Sequence, residues 1–240
     1  MDYTTLEKVD RVLVVMAHPD DVDYSSAGSI AKWTAEGTEV AYVIATDGDA
    51  GGFDRSIPRE DIPRIRREEQ TRAAKAVGVT DVTFLGYRDG YVEASHELRR
   101  DISREIRRFR PDRVVCQSPE RNYQRLPASH PDHMATGEAT LFAVYPDARN
   151  PFAYPELLND EGLDAFIVRE VLLVAHPTPT SYEDVTESFD RKMEALMCHQ
   201  SQLPDPDAVE GMVRGWLGYG ASEVGLGEDR LAEMFYRITL

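Results

Sequence analysis

Two short segments rich in histidine and aspartate are the first candidates for chemistry. One has the sequence HPDD at positions 18–21 and directly follows an apolar run, 11–16, that is typical of a buried strand. The other has the sequence HPDH at positions 130–133. Imidazole nitrogens and carboxylate oxygens can bind a divalent metal, and a neighbouring carboxylate can act as a base. The leading hypothesis is therefore a metal-dependent hydrolase.

Three of these side chains can form a catalytic metal site. His18 and Asp21 are three residues apart across a turn, and His133 would add a second imidazole. Three protein ligands with a position left for water are typical of catalytic zinc, whereas structural zinc sites are usually closed by four ligands. Zinc is the predicted cofactor, one ion per chain, although another divalent ion could use the same donors.

The other side chains of the two segments are candidate catalytic groups. Asp20 is adjacent to Asp21, so one carboxylate can bind metal while the other takes a proton from water; the spacing leaves open which does which. His130 lies three residues before His133, and in a helix both rings would share a face. One of the two could then serve as general acid or oxyanion donor, and Asp132 could orient a histidine.

The alternative to a functional site is an ordinary turn. A single His-Pro-Asp is often only a turn, and Asp132 is most simply explained as a helix N-cap. That explanation must account for two copies of the motif, each after a predicted strand. The functional interpretation is therefore favoured.

The elements that would carry these residues alternate between strand and helix. The predicted strands are 11–17, 39–45, 82–85, 113–117 and 168–175, and the predicted helices are 25–36, 58–77, 98–109, 132–144 and 189–199. This alternation predicts an α/β fold, with a Rossmann-like, mainly parallel sheet and helices on both faces. Ligands of such sheets bind beyond the carboxyl ends of the strands, where both histidine segments and Asp89 fall.

The whole chain is interpreted as one domain, 1–240, with a core at about 10–200 and a C-terminal helical extension at about 203–240. The 43 acidic residues against 27 basic ones give a net charge of −16, which disfavours nucleic acid and anionic membranes as partners. Two isolated cysteines, no apolar run of membrane-spanning length and an N-terminus without signal-peptide features predict a cytoplasmic protein.

Five short motifs occur along the chain in a recognisable order. They are AHPDD at 17–21, TDG at 46–48, RxxE at 66–69, GYRDG at 86–90 and HPDH at 130–133. Together they resemble the PIG-L/LmbE-like family over about residues 10–200. The resemblance implies a metal-dependent, usually zinc-dependent, N-deacetylase that acts on molecules containing N-acetylglucosamine.

The resemblance also implies a role for each matching residue. The implied metal ligands are His18, Asp21 and His133. The implied general base is Asp20, and His130, oriented by Asp132, would assist the tetrahedral intermediate and the leaving amine. The implied substrate contacts are Arg66, to the distal part of the substrate, and Asp89, to the sugar.

The predicted reaction is the removal of an acetyl group from an N-acetylated amino sugar, or from a small conjugate of one, by metal-activated water. Two alternatives stay open. One is an amidase that cleaves a larger N-acyl conjugate, such as a mycothiol S-conjugate. The other is a metal- or sugar-binding module without turnover. Whether the chain forms a homo-oligomer is also open.

A few positions leave local questions open. Val22 stands where the family usually has Glu, so either Asp23 replaces that carboxylate or the surroundings differ. Ala128 stands where some members have a tyrosine, for which Tyr123 is the candidate replacement. His199 either lies near the pocket or simply ends a helix.

Overall fold

Strand β2 (Arg11–Met16) is an interior strand of the sheet, and its residues 12–16 are completely buried. In the computed structural model, which describes residues 3–240, β2 pairs in parallel with β3 (Glu39–Thr46) on one side and with β5 (Arg113–Gln117) on the other. Successive side chains of a strand point to opposite faces, and both faces of a central parallel strand are covered. The continuous apolar run in the sequence follows from this position.

Five further strands and eight α-helices complete the described residues. The strands are β1 (Thr4–Thr5), β4 (Asp81–Tyr87), β6 (Glu170–Val174), β7 (Ser181–Asp184) and β8 (Ala232–Thr239). The helices are α1 (Asp21–Ser25), α2 (Ala27–Ala35), α3 (Ile62–Ala76), α4 (His96–Phe109), α5 (Pro131–Phe142), α6 (Pro155–Asn159), α7 (Phe189–Leu196) and α8 (Pro206–Glu223).

The sheet order is β1-β7-β8-β6-β5-β2-β3-β4. Within residues 3–240, β8 alone runs antiparallel to its neighbours, β6 and β7. Helices α2, α3 and α7 pack on the face that carries Val14 and Met16, and α4 and α5 pack on the face that carries Leu13 and Val15. The predicted single-domain α/β fold, with a mainly parallel sheet covered on both faces, is confirmed.

The predicted helix 25–36 corresponds to α2, and a short helix that was not predicted, α1, precedes it. The short helix α1 begins at Asp21, and α2 begins one residue after α1 ends, with Ser26 between them. The first turn of the chain after β2 is therefore already helical, which holds Asp21 close to His18. A pattern of apolar residues could not reveal this early start, because 20–23 is a run of acidic residues around Val22.

The C-terminal extension is helical only in α8. Residues 232–239 form β8, which lies inside the sheet between β6 and β7. A buried charge explains why this strand is hard to recognise: Glu233 is 2% exposed and lies 2.7 Å from Nζ of Lys192, which is also buried. Glu233 also accepts hydrogen bonds from the backbone N–H groups of Gly28 and Ser29, in the first turn of α2.

The carboxyl ends of β2, β3, β4 and β5 lie side by side, so the segments that follow them share one edge of the sheet. Among residues 3–240, no helix combines the length and the apolar character that crossing a bilayer requires. Met1 and Asp2, which belong to the N-terminus interpreted above as lacking a signal, lie outside the described residues.

Candidate active site

His18 is the central residue of the edge, and its two ring nitrogens have different surroundings. Its Nε2 lies 3.2 Å from Oδ2 of Asp132 and 3.2 Å from Oδ1 of Asp89, so this nitrogen carries a proton. Its Nδ1 lies 3.2 Å from Nε2 of His133 and 3.3 Å from Oδ2 of Asp21. Burial lowers the pKa of His18, but the surrounding carboxylates outweigh burial and raise this pKa to about 12.

Three donor atoms converge beside His18. The distance from Nε2 of His133 to Oδ1 of Asp21 is 3.0 Å, and the 3.3 Å contact of Nδ1 of His18 is with the other oxygen of that carboxylate, Oδ2. Tetrahedral zinc with ligands at about 2.0–2.1 Å has its ligand atoms about 3.3 Å apart. The separations of 3.0 to 3.3 Å are close to the edge of such a tetrahedron, with Asp21 offering one oxygen to each histidine. Burial raises the pKa of Asp21, but His133 and His18 outweigh it and hold the pKa well below the usual value.

Two other groups of side chains also come close enough to hold an ion. One consists of His18, His130 and His133, and the other of His18, Asp89 and Asp132. In the second group Asp132 already accepts hydrogen bonds from the backbone N–H groups of Gly90, at 2.7 Å, and Val92, at 3.2 Å. Asp132 is therefore better suited to hold the Nε2–H of His18, as outer carboxylates do for metal-bound histidines.

The contact between Asp132 and His18 corrects one prediction. The resemblance implies that Asp132 orients His130, but its carboxylate contacts His18 instead. Only the backbone N–H of Asp132 reaches His130, donating to Nδ1 at 3.2 Å, so the N-cap of α5 is His130 and not Asp132. Because Nδ1 accepts this hydrogen bond, the proton of a neutral His130 ring lies on Nε2. Burial, together with His18 and His133, lowers the pKa of His130.

Asp20 lies beside the metal-ligand candidates in an unusual backbone conformation, with φ 89°. Burial and the neighbouring Asp21 raise the pKa of Asp20, Arg66 opposes them, and the result is about 6. Arg66 donates through Nη2 to Oδ2 of Asp20 at 3.1 Å and to the carbonyl oxygen of Pro19 at 2.6 Å, and through Nη1 to that of Gly48 at 3.1 Å.

These contacts correct the predicted role of Arg66. Its side chain is 4% exposed, and its two terminal nitrogens already hold Asp20 and two backbone carbonyls, so little of the guanidinium is exposed to the distal part of a substrate. The loop after β3 wraps closely around it. A Cβ at Gly48 would lie 2.1 Å from Nη1 of Arg66, and a Cβ at Gly51 would lie 2.4 Å from the same atom.

Comparison with known proteins decides the family. The family model described as "PIG-L: GlcNAc-PI de-N-acetylase" matches residues 13–144, more than half of the chain. The chain belongs to the PIG-L family.

Three relatives show how far the similarity extends. A diacetylchitobiose deacetylase of Thermococcus kodakarensis is 31% identical over 82% of this chain and 72% of the relative. A Bacillus anthracis protein named probable N-acetyl-alpha-D-glucosaminyl L-malate deacetylase 2 is 34% identical over 80% of this chain and 81% of the relative. The crystal structure of the N,N'-diacetylchitobiose deacetylase of Pyrococcus horikoshii, complexed with its inhibitor MPG, has a TM-score of 0.87 and 30% identity, covering 96% of this chain and 84% of that one.

Two buried glutamines of this PIG-L chain were not predicted as site residues. Gln70, on α3, and Gln117, at the end of β5, each form one hydrogen bond with the 17–20 turn and one with an aspartate. Motif analysis of the catalytic residues could not identify them, since their partners lie between 47 and 100 residues away in sequence.

The residues behind the open questions at Val22 and His199 are all buried, and Asp23, next to Val22, contacts His199. Val22 is buried in the apolar core, and Asp23 is buried on α1, where its Oδ2 lies 2.8 Å from Nε2 of His199. Burial lowers the pKa of His199, but Asp23 outweighs it and raises this pKa. His199 therefore lies on the buried side of the Asp20 turn, in contact with Asp23. Tyr123, the candidate replacement for the family tyrosine, is 84% exposed.

A polar hollow of about 520 Å³ adjoins the site at the ends of β3 and β4. Its lining includes Asp49, Arg59 and Arg88. Asp89 connects this hollow to the histidines: its backbone N–H donates to Oδ1 of Asp49 at 3.0 Å, while its carboxylate contacts His18. The lining of the hollow, which reaches Asp89 through its neighbour Arg88, is mainly polar and charged.

Proposed function

We propose that the chain removes the acetyl group from an N-acetylated amino sugar, or from a small conjugate of one. The observation that carries the proposal is the convergence of His18 Nδ1, His133 Nε2 and the Asp21 carboxylate, with Asp20 beside them. Membership of the PIG-L family and the names of the relatives support the reaction. The negative net charge of −16 supports a small molecule as partner rather than nucleic acid or an anionic membrane.

The proposed cofactor is one Zn²⁺ held by His18, Asp21 and His133. Two neutral imidazoles and one carboxylate, with a position left open, are a donor set of catalytic zinc. The Nε2–H of His18 rests on Asp132, so Nδ1 is the nitrogen that would bind the ion, in exchange for the second ring proton. When bound, the ion would supply Lewis acidity toward the acetamide carbonyl and toward water.

Asp20 is the proposed general base. Its pKa of about 6 lies close to neutral pH, where a base is both ionised in a large share of molecules and able to hold a proton. Arg66 restrains one of its oxygens, so the other is the candidate proton acceptor. The water that loses this proton attacks the carbonyl carbon of the acetamide.

His130 is the proposed donor to the oxygen on which charge develops. Its neutral ring carries the proton on Nε2, because Nδ1 accepts from the backbone of Asp132. We propose that the same histidine assists the departure of the amine, which takes up the proton that Asp20 removed from water. Acetate and the free amine are then the products. We assign Arg66 to positioning Asp20, and Asp89 to holding His18.

The experiment is an assay of acetate release by purified protein loaded with one equivalent of zinc. N-Acetylglucosamine, N,N'-diacetylchitobiose and an N-acetylglucosaminyl malate are tested, with mass spectrometry of the amine product. We expect acetate from at least one of them and a loss of about 10²- to 10⁴-fold in Asp20→Asn. Release of a larger acyl group would favour the amidase, binding without products would favour the binding module, and full activity after chelation would reject the metal mechanism. We also propose the cytoplasm as the location, which fractionation of the source cells tests.

A further inference from the structure

We propose that the two buried glutamines divide the positioning of the site between them: Gln70 positions the base Asp20, and Gln117 positions the metal ligand Asp21. The inference rests on the roles proposed above for these two aspartates. Each amide forms the same pair of contacts, accepting from a backbone N–H of the 17–20 turn and donating to an aspartate oxygen, but the aspartates differ.

Gln70 is completely buried. Its Oε1 accepts from the backbone N–H of Asp20 at 2.8 Å, and its Nε2 donates to Oδ2 of Asp23 at 2.9 Å. The orientation of the amide follows from Asp23, since a carboxylate accepts hydrogen bonds and cannot donate them. Oδ2 of Asp23 also lies 2.8 Å from Nε2 of His199. Asp23 and His199 thus fix the face that Gln70 presents to Asp20.

The backbone of Asp20 needs such a restraint. At φ 89° and ψ −26° it occupies a left-handed conformation that residues other than glycine seldom adopt, and that persists only where the surroundings determine it. Gln70 holds the backbone N–H, and Arg66 holds the side chain through Oδ2 and the preceding carbonyl of Pro19. Without Gln70, the carboxylate of Asp20 loses its fixed direction.

Gln117 is 4% exposed and restrains the neighbouring aspartate. Its Oε1 accepts from the backbone N–H of Ala17 at 3.0 Å, and its Nε2 donates to Oδ2 of Asp21 at 2.9 Å. That oxygen also accepts from the backbone N–H of His18 at 2.7 Å. Oδ2 is held by these two donors and also lies 3.3 Å from Nδ1 of His18, whereas Oδ1 accepts from neither donor, faces His133 at 3.0 Å and is available to an ion.

Because the two aspartates have different roles, loss of Gln70 and loss of Gln117 should change different measured quantities. Loss of the Gln70 amide misdirects a base and leaves the ion's donors in place, so kcat falls while zinc affinity is kept. Loss of the Gln117 amide frees Asp21 to turn away from His133, so zinc binds more weakly. Mutation of groups that orient metal ligands typically costs 10–100-fold in affinity.

The test compares Gln70→Leu with Gln117→Leu, and uses the exposed Gln124→Leu as the matched control. Zinc affinity is measured by competition with a chromogenic chelator, independently of activity, and kcat and KM are measured at saturating zinc. We expect Gln70→Leu to lower kcat by about 10²-fold with zinc affinity within about twofold. We expect Gln117→Leu to weaken zinc binding by about 10–100-fold, with kcat restored at saturating zinc. Gln70→Met replaces Gln70→Leu if the latter does not fold.

A second comparison separates positioning from general damage. In an Asp20→Asn background, Gln70→Leu should cause no further loss of the residual rate, because the group that it positions is already gone. A further loss, or equal effects of the two glutamine variants on zinc affinity, would overturn the inference. Failure of the proposed function has a different outcome: the wild-type protein would release no acetate, or Asp20→Asn would remain active, while the zinc affinities would still report on Gln117.

Discussion

The carboxylate of Asp132 lies 3.2 Å from Nε2 of His18, so a residue in the first turn of α5 holds a histidine at the end of β2. The two residues are 114 positions apart in sequence. The segment 130–133 therefore contributes more than the candidate metal ligand His133, because its Asp132 also holds the Nε2–H of His18.

Replacing Asp132 by asparagine should weaken zinc binding. The two oxygens of Asp132 accept from Gly90, Val92 and His18, and an asparagine would turn an N–H group toward one of these donors. We expect zinc affinity to fall by about 10–100-fold, measured by chelator competition. The exposed Asp160→Asn is the control. An unchanged affinity in Asp132→Asn would show that His18 keeps its tautomer without this carboxylate.

Two histidines of the site should respond differently to truncation. We expect His133→Ala to lose bound zinc, because the mutation removes one of three converging donors. We expect His130→Ala to keep zinc and to lose about 10²–10³-fold in kcat, as expected for a donor to the developing oxyanion. Elemental analysis of the purified variants and kinetics of acetate release check the pair. Loss of zinc in His130→Ala alone would instead support the group formed by the three histidines.

The glycine at position 51 should be required for the placement of Arg66. An added Cβ would lie 2.4 Å from Nη1 of Arg66, so the guanidinium, whose Nη2 holds Asp20, would have to shift. We expect Gly51→Ala to lower kcat by about 10- to 10²-fold at unchanged zinc content. In the matched Gly215→Ala, on the exposed side of α8, a Cβ meets nothing within 4 Å.

The control variant Gly215→Ala should also be more stable than the wild-type protein. Alanine is favoured over glycine in a helix, so Gly215→Ala should raise the free energy of unfolding by about 0.5–1 kcal/mol with kcat unchanged. Urea titration of both variants checks this. Wild-type activity in Gly51→Ala would mean that Arg66 can move without affecting Asp20.

The buried pair Lys192–Glu233 should be essential for stability. Both side chains are completely buried, and Lys192 also donates to the backbone carbonyls of Asp23 and Tyr24. Lys192→Met leaves Glu233 without its countercharge, and we expect a loss of about 3–5 kcal/mol in the free energy of unfolding. Breaking the exposed pair Arg214–Glu210 with Arg214→Met should change it by less than about 1 kcal/mol. Urea titrations with equal losses in both variants would contradict this account.

The sequence predicts well where local pattern and chemistry agree. The apolar run of β2 predicts a central strand, and the two His-Pro-Asp motifs predict that His18 and His133 meet, as they do at 3.2 Å between ring nitrogens. It predicts poorly where a side chain's partner is distant. Arg66 looks like an exposed helix residue among other charges, yet the loop of Gly48 and the Asp20 turn enclose it.

The same limit applies to β8 and to the two glutamines. Glu233 interrupts the apolar pattern of a buried strand. Its burial is made possible by Lys192, which lies on α7 and cannot be recognised as its partner from the sequence. Gln70 and Gln117 carry no metal-binding chemistry, and their importance depends on which backbone N–H each one faces. Such three-dimensional pairings are not encoded in the spacing of neighbouring residues.

The position of β8 also bears on how the chain assembles. Among residues 3–240, strands β1 and β7 join the rest of the sheet only through β8, which follows them in sequence. During synthesis from the N-terminus, the ribosome releases both histidine segments well before the strand that closes the gap beside β6. Until then, β6 presents an unpaired edge to which another extended chain can add. The nascent protein is therefore most exposed to intermolecular strand pairing at a stage when its catalytic segments have already been made.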